Sequence, residues 1–295
     1  MTKESYTIGI DIGGTKTLLV LLDESQNIFY EKKITSSNGW EFLEILIKKA
    51  LNEVSIEYYQ VCGMGIGVAG SIDRISSKVI DAPGLKWIQF DLISKLKTHF
   101  SFPIFINNDV NCALLGESKI GAAKDCDPIL FISIGTGLGC ALMSGGKLIN
   151  GANNMAGEIG YQLDKNDYVI GKTNKLGQFG IAESKISGTA LKTKFSSSEE
   201  FFLSLEKKQD TAVELFDELS MNLSILIANA VCLINPEKVI LGGGLSQPLK
   251  PYLEVMDKKI AELIPIPTQI ELSQLNETAG ALGAAYYALE ELEKR

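Results

Sequence analysis

Short apolar runs broken by glycine-rich turns alternate along this chain with longer segments whose apolar residues recur every three to four positions, the pattern of strands interleaved with helices. Strand-like runs fall at 6–10, 18–22 and 28–34. An amphipathic helix follows over 40–54, with Phe42, Leu43, Leu46, Ile47, Ala50 and Leu51 on one face. The pattern then predicts a strand over 61–68, a helix around 91–97, a strand at 104–106 and a helix opened by Asn108 and Asp109. The second half predicts hairpin strands near 129–150, a long helix over 211–233 that Pro236 ends, a strand at 238–241 and a final helix over 277–294. Strands and helices in this order imply a mixed α/β fold with a parallel component.

The pattern is also duplicated. The first strand runs Ile8-Gly9-Ile10-Asp11-Ile12 into Gly13-Gly14-Thr15-Lys16-Thr17, and the design returns as Leu130-Phe131-Ile132-Ser133-Ile134 followed by Gly135-Thr136-Gly137-Leu138-Gly139. Ser133 stands where Asp11 stood, and Gly135 where Gly13 stood. Each copy reads as a hairpin with a glycine-rich tip, where backbone N–H groups point outward and an anion can come close to the chain. A tight turn accounts for one such hairpin; two matched copies suggest two loops gripping one polyphosphate across an interdomain cleft. A third run, Gly242-Gly243-Gly244, follows a strand and is placed to shape a nucleotide pocket. The duplication puts one α/β domain at 1–118, completed by the terminal helix 277–295, and a second at 119–276.

Composition narrows the partners. With 45% hydrophobic and 22% charged residues the chain is an ordinary globular protein, and its net charge of −8 lacks the positive field that nucleic acid requires. The most apolar long stretch, 223–234, is too short for a bilayer and holds Ser224 and Asn229, and Asp11 interrupts the first apolar run, so neither membrane span nor signal peptide is expected. Five scattered cysteines read as reduced core residues of a cytoplasmic protein, with neither disulfide nor metal spacing. The single histidine, His99, ends a helix-like segment and reads as a surface residue, which disfavours hydrolases with a histidine-activated nucleophile. A carboxylate base is the economical alternative.

Asp109 follows the strand Ile104-Phe105-Ile106, at the strand end where open α/β folds place ligands. The pair Asn108-Asp109 reads equally well as a helix cap. Glu158 lies between glycines in Gly157-Glu158-Ile159-Gly160-Tyr161, and Glu183 precedes Ser187-Gly188. Carboxylates and amides near a phosphate grip suit the directed hydroxyls of a sugar.

Taken in order, Asp11-Ile12-Gly13-Gly14-Thr15, Asn108-Asp109-Val110-Asn111, the Gly135–Gly139 loop, Gly157-Glu158-Ile159-Gly160, Glu183 before Ser187-Gly188, and Gly242-Gly243-Gly244 resemble the ROK family of sugar kinases and repressors over essentially the whole chain. The resemblance implies an actin-like, hexokinase-type ATPase fold and ATP-dependent phosphorylation of a hexose or β-glucoside at its 6-hydroxyl. By the same resemblance Asp109 is the catalytic base, and Asn108, Glu158, Tyr161, Glu183 and Gly70 bind the sugar. Gly13, Gly14, Thr15 and Lys16 form one ATP loop and Gly135, Thr136 and Gly137 the other, with Gly243 and Gly244 at the nucleotide and Asp11 holding Mg²⁺ through water. A homodimer is the family expectation. A repressor of the family needs a DNA-binding winged helix, where this chain has only residues 1–5 before its first strand, and intact loops with Asp109 argue against a catalytically dead sugar sensor.

Three departures refine the expectation. Tyr161 stands where the family usually has His, and Asn174-Lys175-Leu176-Gly177-Gln178-Phe179-Gly180-Ile181 where it has the zinc-binding Cys-x-Cys-Gly-x-x-Gly-Cys. Packing of Leu176, Phe179 and Ile181 is expected to hold this loop in place of metal. Gly84 occupies a position where the family commonly has Asn, which removes one sugar contact. A zinc-free loop with Tyr for the His resembles the β-glucoside kinases, and some N-acetylmannosamine kinases share it; the replaced His lies near the anomeric end of the sugar, so the change admits a substituent on O1. Because Tyr161, Asn174, Leu176 and Ile181 offer no thiolate or imidazole, chelator-washed protein should contain well under one zinc per chain by elemental analysis and melt at an unchanged temperature. Stoichiometric zinc would show that this loop is misaligned.

Overall fold

The computed structural model describes residues 4–37, 39–73, 76–82, 85–88, 91–175 and 177–295. The chain forms two compact units, one of Met1–Gly121, Gly151–Met155 and Thr278–Arg295, the other of Ala122–Asn150 and Ala156–Glu277.

The first unit contains β1 (Tyr6–Ile12), β2 (Lys16–Leu22), β3 (Ile28–Thr35), α1 (Glu41–Glu53), β4 (Val61–Val68), β5 (Ser71–Asp73), β6 (Lys78–Asp81), α2 (Leu92–Lys97), β7 (Ile104–Asn108) and α3 (Asp109–Ile120). Its five-stranded sheet has the order β3-β2-β1-β4-β7, antiparallel among the first three strands and parallel from β1 to β7. The strands β1 and β4 are buried almost throughout, because both faces of the sheet are covered. Strand alternation divides their side chains. Ile8, Ile10, Ile12, Met64, Ile66 and Val68 join the core with Leu43, Ile47 and Leu51 of α1 and Leu96 of α2. The opposite face carries Gly9, Asp11, Gly63, Gly65 and Gly67.

That bare face receives the last helix of the chain, numbered α10 (Ala279–Glu293) in sequence order. A Cβ built on Gly65 would lie 1.7 Å from the carbonyl oxygen of Ala284, and one on Gly9 2.0 Å from that of Ala281. On its other side α10 meets α3 as closely, with a Cβ on Gly283 only 1.6 Å from the carbonyl oxygen of Cys112. Backbone therefore rests on backbone, which only glycine permits.

The second unit repeats the plan with β8 (Ile129–Ile134), β9 (Leu138–Ser144) and β10 (Lys147–Leu148), then α4 (Lys165–Val169), α5 (Glu183–Ile186), α6 (Gly188–Leu191), α7 (Ser198–Glu206), α8 (Asp210–Ile234), β11 (Lys238–Gly242), α9 (Leu253–Leu263) and β12 (Gln269–Leu272). Its sheet order, β10-β9-β8-β11-β12, matches the first strand for strand. The duplication extends to register: Asp11 pairs with Leu18 and Gly67, Ser133 with Gly139 and Gly242.

Several expectations are corrected. At 25 residues α8 is long and apolar enough to cross a membrane by length and composition, unlike the short span read at 223–234. Half of its most apolar window is buried in its own unit, where Leu219, Leu223 and Ile227 meet Leu130, Ile132 and Val239. Only Cys112 and Cys140 are core cysteines; Cys62 and Cys126 are half-buried and Cys232 is exposed, all of them free. The β5–β6 hairpin, α7, α9 and the half-buried edge strand β12 had no counterpart in the apolar pattern. His99 lies at the surface with Nδ1 2.9 Å from Glu44 and its ring beside Trp40.

Replacing Gly65 with Ala inserts a methyl group where a carbonyl oxygen already sits. Urea unfolding should show a loss of about 1–3 kcal/mol or more, the range for overpacking a rigid contact, whereas Gly244→Ala, with nothing within 4 Å of the new methyl group and no left-handed backbone, should show no comparable loss.

Candidate functional site

The first unit places two carboxylates together. Asp11, Gly67 and Asn107 are register partners across β1, β4 and β7, so the strand ends lie side by side and Asp109 follows two residues on, in the first turn of α3. A Cβ on Gly67 would stand 3.5 Å from Asp11 Oδ1 and 3.5 Å from the Cα of Asp109, so glycine leaves the space between them open. The start of α10 closes over Asp11, with the Cβ position of Gly280 2.6 Å from Oδ2. Asp11 Oδ1 is buried and has no hydrogen-bond partner among the described residues. Burial, and then the charge of Asp109, push the Asp11 carboxyl up to about 8. Burial also raises Asp109, while N–H groups at the start of α3 pull the other way.

Asn108 is the N-cap of α3: its Oδ1 accepts from the N–H groups of Val110 (2.9 Å) and Asn111 (3.1 Å). Its Nδ2 donates to the carbonyl of Gly70 at 3.1 Å, which brings these two sequence-predicted residues together. The cap reading of Asn108 is thus realised, and one amide hydrogen remains for a ligand.

A buried carboxylate oxygen without a partner is costly unless a cation or proton meets it. Among the described residues no three His, Cys, Asp or Glu side chains form a metal cluster. One or two carboxylates completed by substrate phosphates is how Mg²⁺ is usually held, and Asp11 fits that requirement.

The loop between β1 and β2 is closed by the Gly13 N–H donating to Lys16 O (3.0 Å), and Gly14, Thr15 and Lys16 are exposed at its tip. Ser36, just past β3, pins it: the hydroxyl donates to Gly13 O (2.7 Å) and accepts from Thr17 (2.9 Å), and the Ser36 N–H donates to Thr15 O (2.9 Å). Sequence reasoning missed Ser36. Its signal was its place at the end of the strand paired with β2, where Lys16 faces Thr35.

The matching loop of the second unit is tied to α6. Gly188 N–H donates to Gly135 O (2.8 Å), and Thr189 donates to Thr136 O from both N–H (3.2 Å) and hydroxyl (2.8 Å). Leu245 N–H donates to Ile134 O (2.8 Å), and Gly243 turns there with φ of +83°. Gly244 N lies 3.9 Å from the Cβ position of Gly135, so this loop and the Gly243-Gly244 turn share one surface.

Glu183 is less free than expected of a sugar ligand. Its Oε1 accepts from Leu138 N–H (2.9 Å) and its Oε2 from Gly180 N–H (3.0 Å), which ties the glycine loop to the segment ahead of α5. Glu158 is exposed at the start of a 3₁₀ turn, Ile159–Tyr161, and its charge, behind the larger effect of burial, pushes the Cys140 thiol up. The Tyr161 hydroxyl donates to Gln178 O (3.2 Å).

The loop that carries Tyr161 and Glu183 is held by polar links, which corrects the expected apolar packing for Phe179: it is 54% exposed, while Ile181 is buried. Asn174 donates to Tyr161 O (2.6 Å) and accepts from Ile181 N–H (3.1 Å). Lys185 bridges Asp164 (2.6 Å) and buried Asp167 (2.5 Å), and Lys172 adds a contact to Asp167 at 3.2 Å. Burial alone would raise Asp167; Lys185, the Asp164 N–H and Lys172 outweigh it and hold the carboxyl at about 2. Leu176 and Gly84 lie outside the described residues.

The chain is similar to known proteins over nearly its whole length. The chain is 30% identical to a glucokinase of Streptomyces coelicolor, covering 96% of this chain and 98% of that one. It is 27% identical to a β-glucoside kinase of Listeria innocua (95% and 96%) and 28% identical to a putative xylose repressor of Caldicellulosiruptor, of which it covers 78% while 97% of this chain aligns. The solved structure of a ROK family glucokinase from Streptomyces griseus in complex with glucose and AMPPNP superposes with a TM-score of 0.78 at 27% identity, over 97% of this chain and all of that one. The duplicated sheets are those of the actin-like ATPase fold. The ROK family profile matches residues 7–291, and the chain is a member of that family.

Proposed function

We propose that the protein is an ATP-dependent kinase that transfers the γ-phosphoryl group to the 6-hydroxyl of a β-glucoside such as cellobiose or of a hexose. The observation that carries the reading is the pair Asp11 and Asp109 at adjoining strand ends, one with an unsatisfied buried oxygen. Phosphoryl transfer asks chiefly for positioning and charge neutralisation. Asp109 takes the proton of the attacking hydroxyl, a role that its raised carboxyl favours. Asp11 is the residue that holds Mg²⁺, whose charge neutralises the phosphates when it is bound. Gly13 to Lys16 and Gly135 to Gly137 present N–H groups to those phosphates, and Gly243 and Gly244 leave backbone open to the nucleotide. Asn108, Gly70, Glu158, Tyr161 and Glu183 hold the sugar. The absence of an imidazole at Tyr161 supports acceptance of an O1 substituent, because an aromatic face there can carry a second ring.

ADP release with cellobiose, glucose and N-acetylmannosamine tests the reading, with Asp109→Asn as the control for chemistry. The expected result is a kcat/KM for cellobiose at least equal to that for glucose, and a loss on the order of 10² to 10⁴ in kcat for the variant. A tenfold preference for either free sugar, about 1.4 kcal/mol, would overturn the β-glucoside assignment. Sugar binding without turnover would make the chain a sensor.

The carboxyl pair predicts a pH signature. Folding raises Asp11 from 3.8 to about 8, so the native state binds more protons than the unfolded state between these values, and stability of the metal-free protein falls as pH rises through that window. Asp11→Asn removes the buried charge. Near pH 8 it should unfold at higher urea than the parent, by on the order of 1–3 kcal/mol, and lose the stabilisation that Mg²⁺ with ATP gives the parent. A variant no more stable than the parent at pH 8 would show that Asp11 is ionised without strain.

A further inference from the structure

From Tyr161 through α4 to Glu183 the chain makes an excursion whose two ends carry residues assigned above to the sugar. Tyr161 closes the 3₁₀ turn at its start, ahead of α4, and Glu183 ends it as the first residue of α5. The ion pairs of Lys185 and Lys172 with Asp164 and Asp167 join α4 to α5 and to the chain just after α4, and none of them involves Tyr161 or the Gly180-Ile181 segment before Glu183. Asn174 reaches both. Its amide donates 13 residues back, to Tyr161 O, and accepts from seven residues ahead, from Ile181 N–H. The second bond is next to Gly180, whose own N–H holds Glu183 Oε2. One planar side chain with a donor and an acceptor at its tip thus links the segment bearing Tyr161 to the segment aiming Glu183, beside the Tyr161 hydroxyl bond to Gln178 O and the close approach of Gly180 to Gly160. Neither bond involves the loops at Gly13 or Gly135, which are tied by Ser36, Gly188 and Thr189.

Building on the sugar-kinase reading, we propose that Asn174 is a positioning residue for acceptor recognition, holding Tyr161 and Glu183 in register as the organic counterpart of a cross-link. Asn174→Ala removes both bonds at once. Its acceptor KM should rise on the order of tenfold, the loss expected for two hydrogen bonds in a half-buried loop, while the ATP KM stays within about twofold and kcat within about threefold of the parent. Amide hydrogen exchange gives a second readout: the Ile181 N–H, protected in the parent, should exchange much faster in Asn174→Ala. Asn174→Asp keeps the acceptor for Ile181 but turns an anion toward the Tyr161 carbonyl. It should therefore retain Ile181 protection and still raise the acceptor KM, and it keeps the test open should the alanine variant fold poorly. An acceptor KM within twofold of the parent in both variants, or an ATP KM that rises as much as the acceptor KM, would overturn the proposal. A parent chain that turns over no sugar would overturn the kinase reading instead, and calorimetric affinities for glucose and cellobiose in parent and Asn174→Ala would then decide the role of Asn174; equal affinities, or no binding by the parent, would refute it.

Discussion

The contact on which the first unit depends is the seating of α10, backbone against backbone, on β1, β4 and α3. It needs glycine at Gly9, Gly65 and Gly283, each of which would otherwise drive a methyl group into a carbonyl oxygen. Such rigidity has a chemical result. With the helix start set against Asp11 and no side chain at Gly67, two carboxylates share a buried space, and the cost shows as the raised Asp11 carboxyl. Strain of this kind persists only where the surroundings hold it fast.

Much of this was legible in the sequence because it is local. Alternation gave the strands, the three-to-four repeat gave α1 and α8, and the matched Gly/Thr hairpins revealed a duplication in which Asp11 and Ser133 each face a glycine of the next parallel strand, while the second hairpin is one residue shorter. What escaped depends on distance along the chain. Gly63, Gly65 and Gly67 look like weak points in a strand until the partner helix is known, and that helix starts at Ala279. Ser36 and Asn174 are ordinary polar residues by composition, and only the folded backbone shows which carbonyl each one meets. Phe179 misled for the converse reason: an aromatic residue between glycines suggests burial, but the polar links around Asn174 leave it in solvent.

The two halves use one scaffold for different work. At equivalent register positions, each facing a glycine on the next strand, the first carries Asp11 and the second Ser133. Only the first has a second carboxylate at the neighbouring strand end. The second gives its glycine loop to α6 and to Glu183, whereas the first is pinned by Ser36 and lies next to an unsatisfied carboxylate oxygen. The difference between Asp11 and Ser133 thus leaves a buried carboxylate in one half and a neutral hydroxyl at the equivalent place in the other.

The position of α10 also has a consequence for synthesis. The helix that covers β1 and β4 follows the entire second unit in the chain, so the ribosome makes the sheet of the first unit long before the element that closes it. Domains usually fold in the order in which they emerge. Here that order is inverted: the second unit can complete its own core while the first still shows a bare glycine face, and the space around Asp11 and Asp109 comes into being only once α10 has been made.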